Sequence, residues 1–460
     1  MPIYGKNLPA SERPNVLSIS RHLRAVKERN VRALRALLKR MHAAYWVFAM
    51  RWLFATVAGN HNQQVIILSL GQEGPADSIA AACCRRGWIV HLFSTQPTPA
   101  ERMHCHRVYR WPLLEHAMHN GLLQKARRIK PLAILIANKD ILIPLHYFLA
   151  TSLGLQHVNK QAVDSSLDKL RQKAMLAEAK LPQGKWRILY DRPEKLELHD
   201  FPYPAVIKPS IGTASKGITR IANCSEISAG LKYIQSWQND VSVGNEFFIE
   251  EYIEGRQFDV EGLAFAGQFY PLCIIEESYS GHASHFPPRF FLFNPPLDRA
   301  LCQLIEGTAI RAIGALGVTT GAWHCEIRVA PGNNPYVLDY ANRMGYDRLV
   351  SLASGTDFAN GYIDTMLGKA PMIKQKKRKS ILYYYLTSAA EVETWQLLVR
   401  LYPDIVRNSV FHSFDFSVSK YYGKVFLLAD TYREIIVALQ ECGIEISTLP
   451  KPLEDNGRFD

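Results

Sequence analysis

Two acidic side chains, Glu326 and Asp339, sit thirteen residues apart in the apolar strings GAWHCEIRV (321–329) and YVLDYANRMGYD (336–347). The intervening APGNNP is a turn, so the two strings are expected to form a β-hairpin that brings the carboxylates together. Carboxylates held that close in a partly buried site repel strongly unless a cation lies between them. Hard oxygen ligands of this kind select Mg²⁺ that is also bound by nucleotide phosphates. Arg343 lies one pleat pair beyond Asp339 and is expected to point to the same place. Taken alone, the segment also reads as a solvated acidic hairpin with an ordinary arginine pair.

Two further segments carry chemistry. In AVIKPSIGTASKGITRI (205–221), Lys208 follows an apolar strand, and Gly212, Thr213, Ser215, Lys216 and Gly217 make a small, donor-rich loop before the next strand. Such a loop can close over phosphates with backbone N–H groups and hydroxyls, while the strand-borne lysine supplies a fixed positive charge. It is not a Walker loop, because the GxxxxGK[ST] order is missing and strand leads to strand. A plain glycine-rich hairpin is the alternative. In FFIEEYIEGRQFDVEGLAF (247–265), two apolar strands flank an acidic EEYIEG whose only local cation is Arg256. A connecting segment that offers backbone groups to a purine edge accounts for it better than a simple hairpin.

Most of these elements belong to a chain of alternating strands and helices. From Gln64, VIILSL, the turn-forming GQEGPA, a helical stretch to Cys84 and GWIVHLFST read as a βαβ unit, with LAILIA (132–137) as a third apolar strand. The Gly71–Gly74 spacing is a weak dinucleotide-type signal. After about Arg378 a strand-rich tail with ILYYYL and KVFLLA ends in a helix at 431–441. At 460 residues, 48% hydrophobic and 21% charged, the chain is long and apolar enough for several cores. Its eight cysteines form no CxxC pair, which argues against a disulfide framework or structural zinc and fits a cytoplasmic setting.

The formal charge of +12 is concentrated at the start: residues 1–58 hold eleven Lys/Arg against two Asp/Glu. Leu34, Leu38, Met41, Tyr45, Phe48 and Trp52 form an apolar stripe opposite Arg21, Arg24, Arg32, Arg35 and Lys39, the pattern of a basic amphipathic helical arm. Such an arm docks on its own domain, on a second copy in a homodimer, or on an anionic membrane surface or partner. A transmembrane span is not expected, since Arg51 interrupts a short apolar run. The remainder is close to neutral, which suits a small-molecule enzyme, and no nucleic-acid partner is expected.

The ordered set DK (168–169), VIKPSIGTASKGI, IEEYIEGRQFDVEG, HCE and LDYANRMG resembles the ATP-grasp superfamily, in particular its carboxylate–amine ligases such as L-amino acid ligases and carnosine synthase. The resemblance implies an α+β ATP-grasp fold: the basic arm (1–60), a Rossmann-like α/β domain (61–160), the ATP-grasp domain (161–370) and a C-terminal α/β subdomain (371–460). It implies ATP and Mg²⁺, with Mn²⁺ as an alternative, and small-molecule carboxylate and amine substrates. Lys169 and Lys208 would hold phosphates, and Ser215, Lys216 and Gly217 would cover them. Glu250, Glu251, Tyr252 and Ile253 would form the adenine hinge, and Gln257 would stand where the family places a ribose-binding glutamate. Glu326 and Asp339 would be the metal ligands, and Arg343 the arginine that stabilises the transferring phosphoryl group. His285, in SHFPPRF, would face the substrate; His324, Arg289 and Arg328 are further candidates there. Ala341 stands where many members have a metal-binding Asn, and Asn342 falls on the other face of the strand. The implied reaction is amide formation through an acyl-phosphate; the alternatives are carboxylation or purine-type ligation, or a regulatory protein that only binds the nucleotide.

Overall fold

The computed structural model describes residues 63–452, apart from 72–75, 138, 190–197, 213–214, 238–243, 245, 280–284, 374–377 and 417–418. The expected arm at 1–60, and Gly74 of the glycine pair, therefore lie outside the described residues. Gln63–Asp460 cluster as one unit.

The chain enters through a parallel sheet of β1 (Gln64–Ser69), β2 (Ile89–Ser94), β3 (Arg107–Arg110) and β4 (Ala133–Ile136), in the order β3-β2-β1-β4. The central strands are almost wholly buried, as continuous apolar runs between helices must be. Gly71 follows β1 at φ +78°, and a Cβ there would lie 1.6 Å from the Gln96 carbonyl oxygen. That tight approach to a neighbouring loop accounts for the glycine without a ligand.

A second, antiparallel sheet contains β5 (Trp186–Leu189), β6 (Ala205–Pro209), β7 (Thr219–Ile221) and β8 (Phe247–Glu251), in the order β5-β8-β6-β7. The glycine-rich loop joins β6 to β7, and Ile207 pairs with Thr219 across it. The helix Ile227–Gln235 packs beneath this sheet, burying Ile227, Gly230 and Ile234. A Cβ at Gly230 would stand 2.8 Å from Ile207, so glycine sets how closely helix and strand approach.

The third sheet begins with β9 (Arg256–Phe265), β10 (Gln268–Tyr279), β11 (Pro288–Phe293), β12 (Gly321–Ala330) and β13 (Asn334–Ala341). It continues with β14 (Ser380–Leu386) and β15 (Val406–Val410); a ribbon of β16 (Phe414–Phe416) and β17 (Ser419–Tyr421) leads to β18 (Gly423–Ala429). Its order is β13-β12-β9-β10-β11-β14-β18-β15. The tail expected to be a subdomain thus extends this sheet through pairing of β14 with β11.

Strand alternation sorts the side chains. Phe258 and Val260 of β9 and Trp323, Cys325 and Ile327 of β12 pack in one core beneath the helix Arg299–Ala315. Trp323 is fully buried, and its truncation to alanine would cost about 3–5 kcal/mol. The intervening Gln257, Asp259 and Glu261 of β9, with His324, Glu326 and Arg328 of β12, turn the opposite way. Among the described residues no helix is long and apolar enough to cross a membrane.

Candidate active site

Residues 252–255 pass from β8 in the small sheet to β9 in the large one, and a cleft opens beside that connection. Lys208, Ser215 and Glu250 line it from the small sheet, and Gln257, Glu326, Arg328 and Asp339 from the large one. Lys169 enters from a helix start, while Val206, Ile218, Ile253, Leu338 and Phe286 supply apolar surface. A slot with apolar sides and charge along one part suits a ligand with a flat, weakly polar body and an anionic tail.

Glu326 and Asp339 are direct cross-strand partners on β12 and β13, as the hairpin reading requires. Asp339 bonds the Lys169 ammonium, which holds its carboxyl below the usual range despite burial. The Glu326 side chain is 32% exposed and has no lysine or arginine partner among the described residues. Two carboxylates facing a cleft, one of them without such a partner, are a donor set that fits a hard dication. Lys169 opens the helix Lys169–Glu178, whose N-cap Asp168 accepts from the Leu170 N–H at 2.9 Å. The Lys169 N–H donates to the Ser210 carbonyl at 2.8 Å, tying that helix start to the glycine-rich loop.

In that loop Ser215 and Gly217 take positive φ, +58° and +70°, which turns the backbone sharply before β7. Lys216 stacks its ammonium over Trp237 at 6.0 Å and is not among the residues lining the cleft.

The acidic hinge differs from its reading in sequence, where only Arg256 was available to neutralise it. Glu250 is buried and clamps two lysines, Lys173 and, at 2.6 Å, Lys208; burial opposes its charge, but the two ammonium groups hold its carboxyl low. Glu254 meets Arg220 at 2.8 Å, and Arg256 takes Glu276 through two bonds of 2.8 Å. Lys173, Lys208 and Arg220 each arrive from an element remote in sequence, while Arg256 turns away to Glu276. The N–H groups of Glu251 and Tyr252 are taken by the carbonyls of Lys185 and Pro204, whereas among the described residues nothing bonds the Ile253 N–H. Hinge backbone recognition would therefore centre on Ile253.

Gln257 accepts from Arg328 and donates to Tyr279 at 3.0 Å and Glu277 at 3.2 Å. Arg328 also donates to the Ile253 carbonyl at 3.2 Å and lies over the Tyr252 ring, 5.1 Å from its centroid. It braces the hinge from within, which differs from the substrate-carboxylate role expected for it.

Three other expected substrate groups are placed elsewhere. Arg289 is engaged by the Tyr385 carbonyl, Thr387 and Glu391, joining β11 to the tail, so pairing with a substrate carboxylate does not describe it. His285 stacks on Tyr233 with ring centroids 3.7 Å apart and is outside the cleft lining. Arg343 follows the end of β13 at Ala341, so strand alternation no longer directs it; its guanidinium donates to Asp140 at 3.1 and 3.3 Å. Asn342 is 2% exposed and donates to the Ala322 carbonyl, a structural role consistent with its opposite facing.

His324 lies beside Glu326 and donates or accepts at Glu261 across 2.9 Å. Burial would lower it, but Glu261 and Glu326 outweigh that and raise its imidazole to about 10. Sequence reasoning missed Lys173, Asp259, Glu261 and Tyr279. A signal for two of them was present: Gln257, Asp259 and Glu261 alternate inside an otherwise apolar strand, a polar stripe at period two.

A glycine-loop sheet, a second sheet with a carboxylate hairpin, a connecting hinge and the cleft between them define the ATP-grasp fold. Residues 201–345 match the family described as the ATP-grasp domain, and the chain carries that domain. Its fold is similar to the crystal structure of L-amino acid ligase from Bacillus licheniformis: TM-score 0.69, 18% identity, 84% of this chain and 98% of that one. It is similar also to carboxyaminoimidazole ribonucleotide synthase from Aspergillus clavatus complexed with ATP: TM-score 0.63, 15% identity, 83% and 97% covered. Among curated proteins, D-alanine–D-alanine ligase of Bordetella petrii is 26% identical over 196 residues, 41% of this chain and 58% of the relative. The chain spans between 24% and 58% of the length of the curated relatives it matches.

Proposed function

We propose that this chain is an ADP-forming carboxylate–amine ligase that makes an amide or peptide bond between amino-acid-like substrates through an acyl-phosphate. One observation carries the reading: Glu326 and Asp339 face each other in register on the wall opposite Lys208, with Lys169 between the two walls. The apolar slot beside Ile253 would take adenine, with its N–H donating to the base. Lys169 and Lys208 would exchange their carboxylate partners for phosphate oxygens, and Ser215 would donate from the loop. Glu326 and Asp339 would hold Mg²⁺, which neutralises charge on the phosphates as ADP departs.

The substrate carboxylate attacks the γ-phosphorus and the bond to the ADP oxygen breaks, giving an acyl-phosphate; an amine then attacks the acyl carbon and expels phosphate. The intermediate must be kept from water, and the glycine-rich loop is the segment able to cover it. Arg343, outside the cleft lining and held by Asp140 but within electrostatic reach of Glu326, would have to exchange Asp140 for the acyl-phosphate to act as its cation.

Amine-dependent ADP release, screened over amino acids and dipeptides, tests this. Glu326→Ala should abolish it while leaving circular dichroism unchanged, because the residue sits at the cleft and not in a core. Full turnover in that variant would remove the site assignment. Similarity to the carboxyaminoimidazole enzyme supports a second reading, carboxylation or purine-type ligation, for which ADP release would depend on bicarbonate or a ribonucleotide instead. ATP binding without ADP release under any of these conditions would indicate a regulatory protein.

A further inference from the structure

Strands β9 and β12 meet in three successive rungs below the cleft: Gln257 with Arg328, Asp259 with Glu326, and Glu261 with His324. The outer rungs are complementary. Arg328 donates to Gln257, and His324 Nδ1 lies 2.9 Å from Glu261. The middle rung sets carboxyl against carboxyl, a destabilising arrangement offset among the described residues only by the neighbouring His324 imidazole. Asp259 is 1% exposed, and among the described residues neither of its oxygens finds a hydrogen-bond partner. Glu277, the next carboxylate, accepts from Tyr279 and Tyr346 and brings no positive charge.

The histidine of the third rung is oriented toward this pair. Glu261 also accepts from the N–H groups of Gly345 and Tyr346, at 3.1 and 3.2 Å, so it is fixed and acts as acceptor for Nδ1–H. That leaves Nε2 facing the middle rung, 3.9 Å from Asp259 Oδ2 and 3.6 Å from Glu326 Oε1, and a cation bound there would displace its proton to solvent. A carboxylate holding one ring nitrogen so that the other is presented is how proteins orient metal-binding histidines. The three ligand atoms lie within 4.8 Å of one another, and around one transition-metal dication such atoms stand about 3 to 3.5 Å apart, so the side chains would close in on binding.

We propose that Asp259, Glu326 and His324 Nε2 form a second divalent-cation site, below the nucleotide cleft and separate from the Glu326–Asp339 pair, with Glu261 as its positioning residue. One imidazole with two carboxylates favours Mn²⁺ or a similar transition metal over Mg²⁺. Glu326 is the one residue common to both pairs. The site rests on the β9–β12 rungs and on the orphaned Asp259, so it needs neither ATP nor ligase activity.

The test is Mn²⁺ binding to the chelated, nucleotide-free full chain, read by pulsed electron paramagnetic resonance. One Mn²⁺ per chain with ¹⁴N coupling from an imidazole is expected. His324→Gln should remove the coupling, and Glu261→Gln should weaken binding about 10–100-fold. Asp339→Asn should retain the coupled ion. Asp259→Asn guards against misfolding as an explanation: it relieves the like-charge rung, so the metal-free variant should melt no lower than wild type yet gain nothing from Mn²⁺. Absence of nucleotide-free binding, Mn²⁺ without nitrogen coupling, or loss in Asp339→Asn as deep as in Asp259→Asn would each overturn the site. Failure of ADP release in every substrate screen would sink the ligase reading and leave this one standing.

Discussion

The two walls of the cleft handle charge in opposite ways. On the small-sheet side, the buried Glu250 answers both Lys173 and Lys208, and at the surface Arg220 answers Glu254. On the large-sheet side, Asp259 and Glu326 face each other with the His324 imidazole beside them and no lysine or arginine partner among the described residues. A buried carboxylate without a donor is strongly unfavourable, and burial followed by Glu277 pushes the Asp259 carboxyl well above the usual range. The contrast separates a finished wall, closed by lysine–carboxylate pairs, from one whose charge balance rests on a single imidazole.

That contrast can be broken at four points. The largest effect is expected in catalysis: Asp339→Asn should lower ADP formation by about 10²–10³-fold, seen in a coupled ADP assay, beside a smaller loss of stability from the Lys169 ammonium left unpaired. Unaltered ADP formation would move the working carboxylates off this hairpin. On the finished wall the consequence should fall on stability. Glu250→Gln leaves two buried ammonium groups against each other and should destabilise by about 3–5 kcal/mol in urea unfolding. Pairing Glu250→Leu with Lys173→Met should recover much of it, and equal losses in single and double variants would show the clamp to be unimportant.

A third test concerns pH. Asp347 is buried, bonded by the Ser78 hydroxyl, and burial followed by Asp77 and Asp357 raises its carboxyl to about 8. Because the folded state holds this proton more tightly than the unfolded one, stability falls as pH rises from the unfolded value of 3.8 toward about 8. The slope is at most about 1.4 kcal/mol per pH unit. Asp347→Asn should flatten that decline in denaturation midpoints measured across the window; an unchanged slope would place the proton elsewhere. The smallest effect is expected for Arg85→Ala, which removes an exposed pair with Asp357 and should shift stability by no more than about 1 kcal/mol.

Much of this was legible in sequence where the signal is local. The hairpin that pairs Glu326 with Asp339 follows from two apolar strings and a turn, and the glycine loop between β6 and β7 from its composition. The strands VIILSL and LAILIA were legible as buried parallel strands, but RVYR was not, because the short edge strand β3 carries two arginines in four residues. Long-range partners were hidden for a different reason. Lys173 looks like one more lysine on a helix, and only the fold brings it to Glu250, 77 residues away. The same holds for Arg343, whose strand ends two residues early and whose partner Asp140 comes from the first domain. The tail is expected as a C-terminal subdomain from the resemblance alone, and sequence carries no mark that β14 pairs with β11.

The central claim is that a nucleotide and a dication occupy the cleft together. Crystals of the full chain grown with Mn²⁺ and a non-hydrolysable ATP analogue, with data collected at the manganese edge, test it most directly. The account predicts an anomalous peak bridging Glu326, Asp339 and phosphate oxygens, with the adenine against Ile253. Nucleotide bound elsewhere, or manganese at the phosphates with neither carboxylate among its ligands, would contradict it.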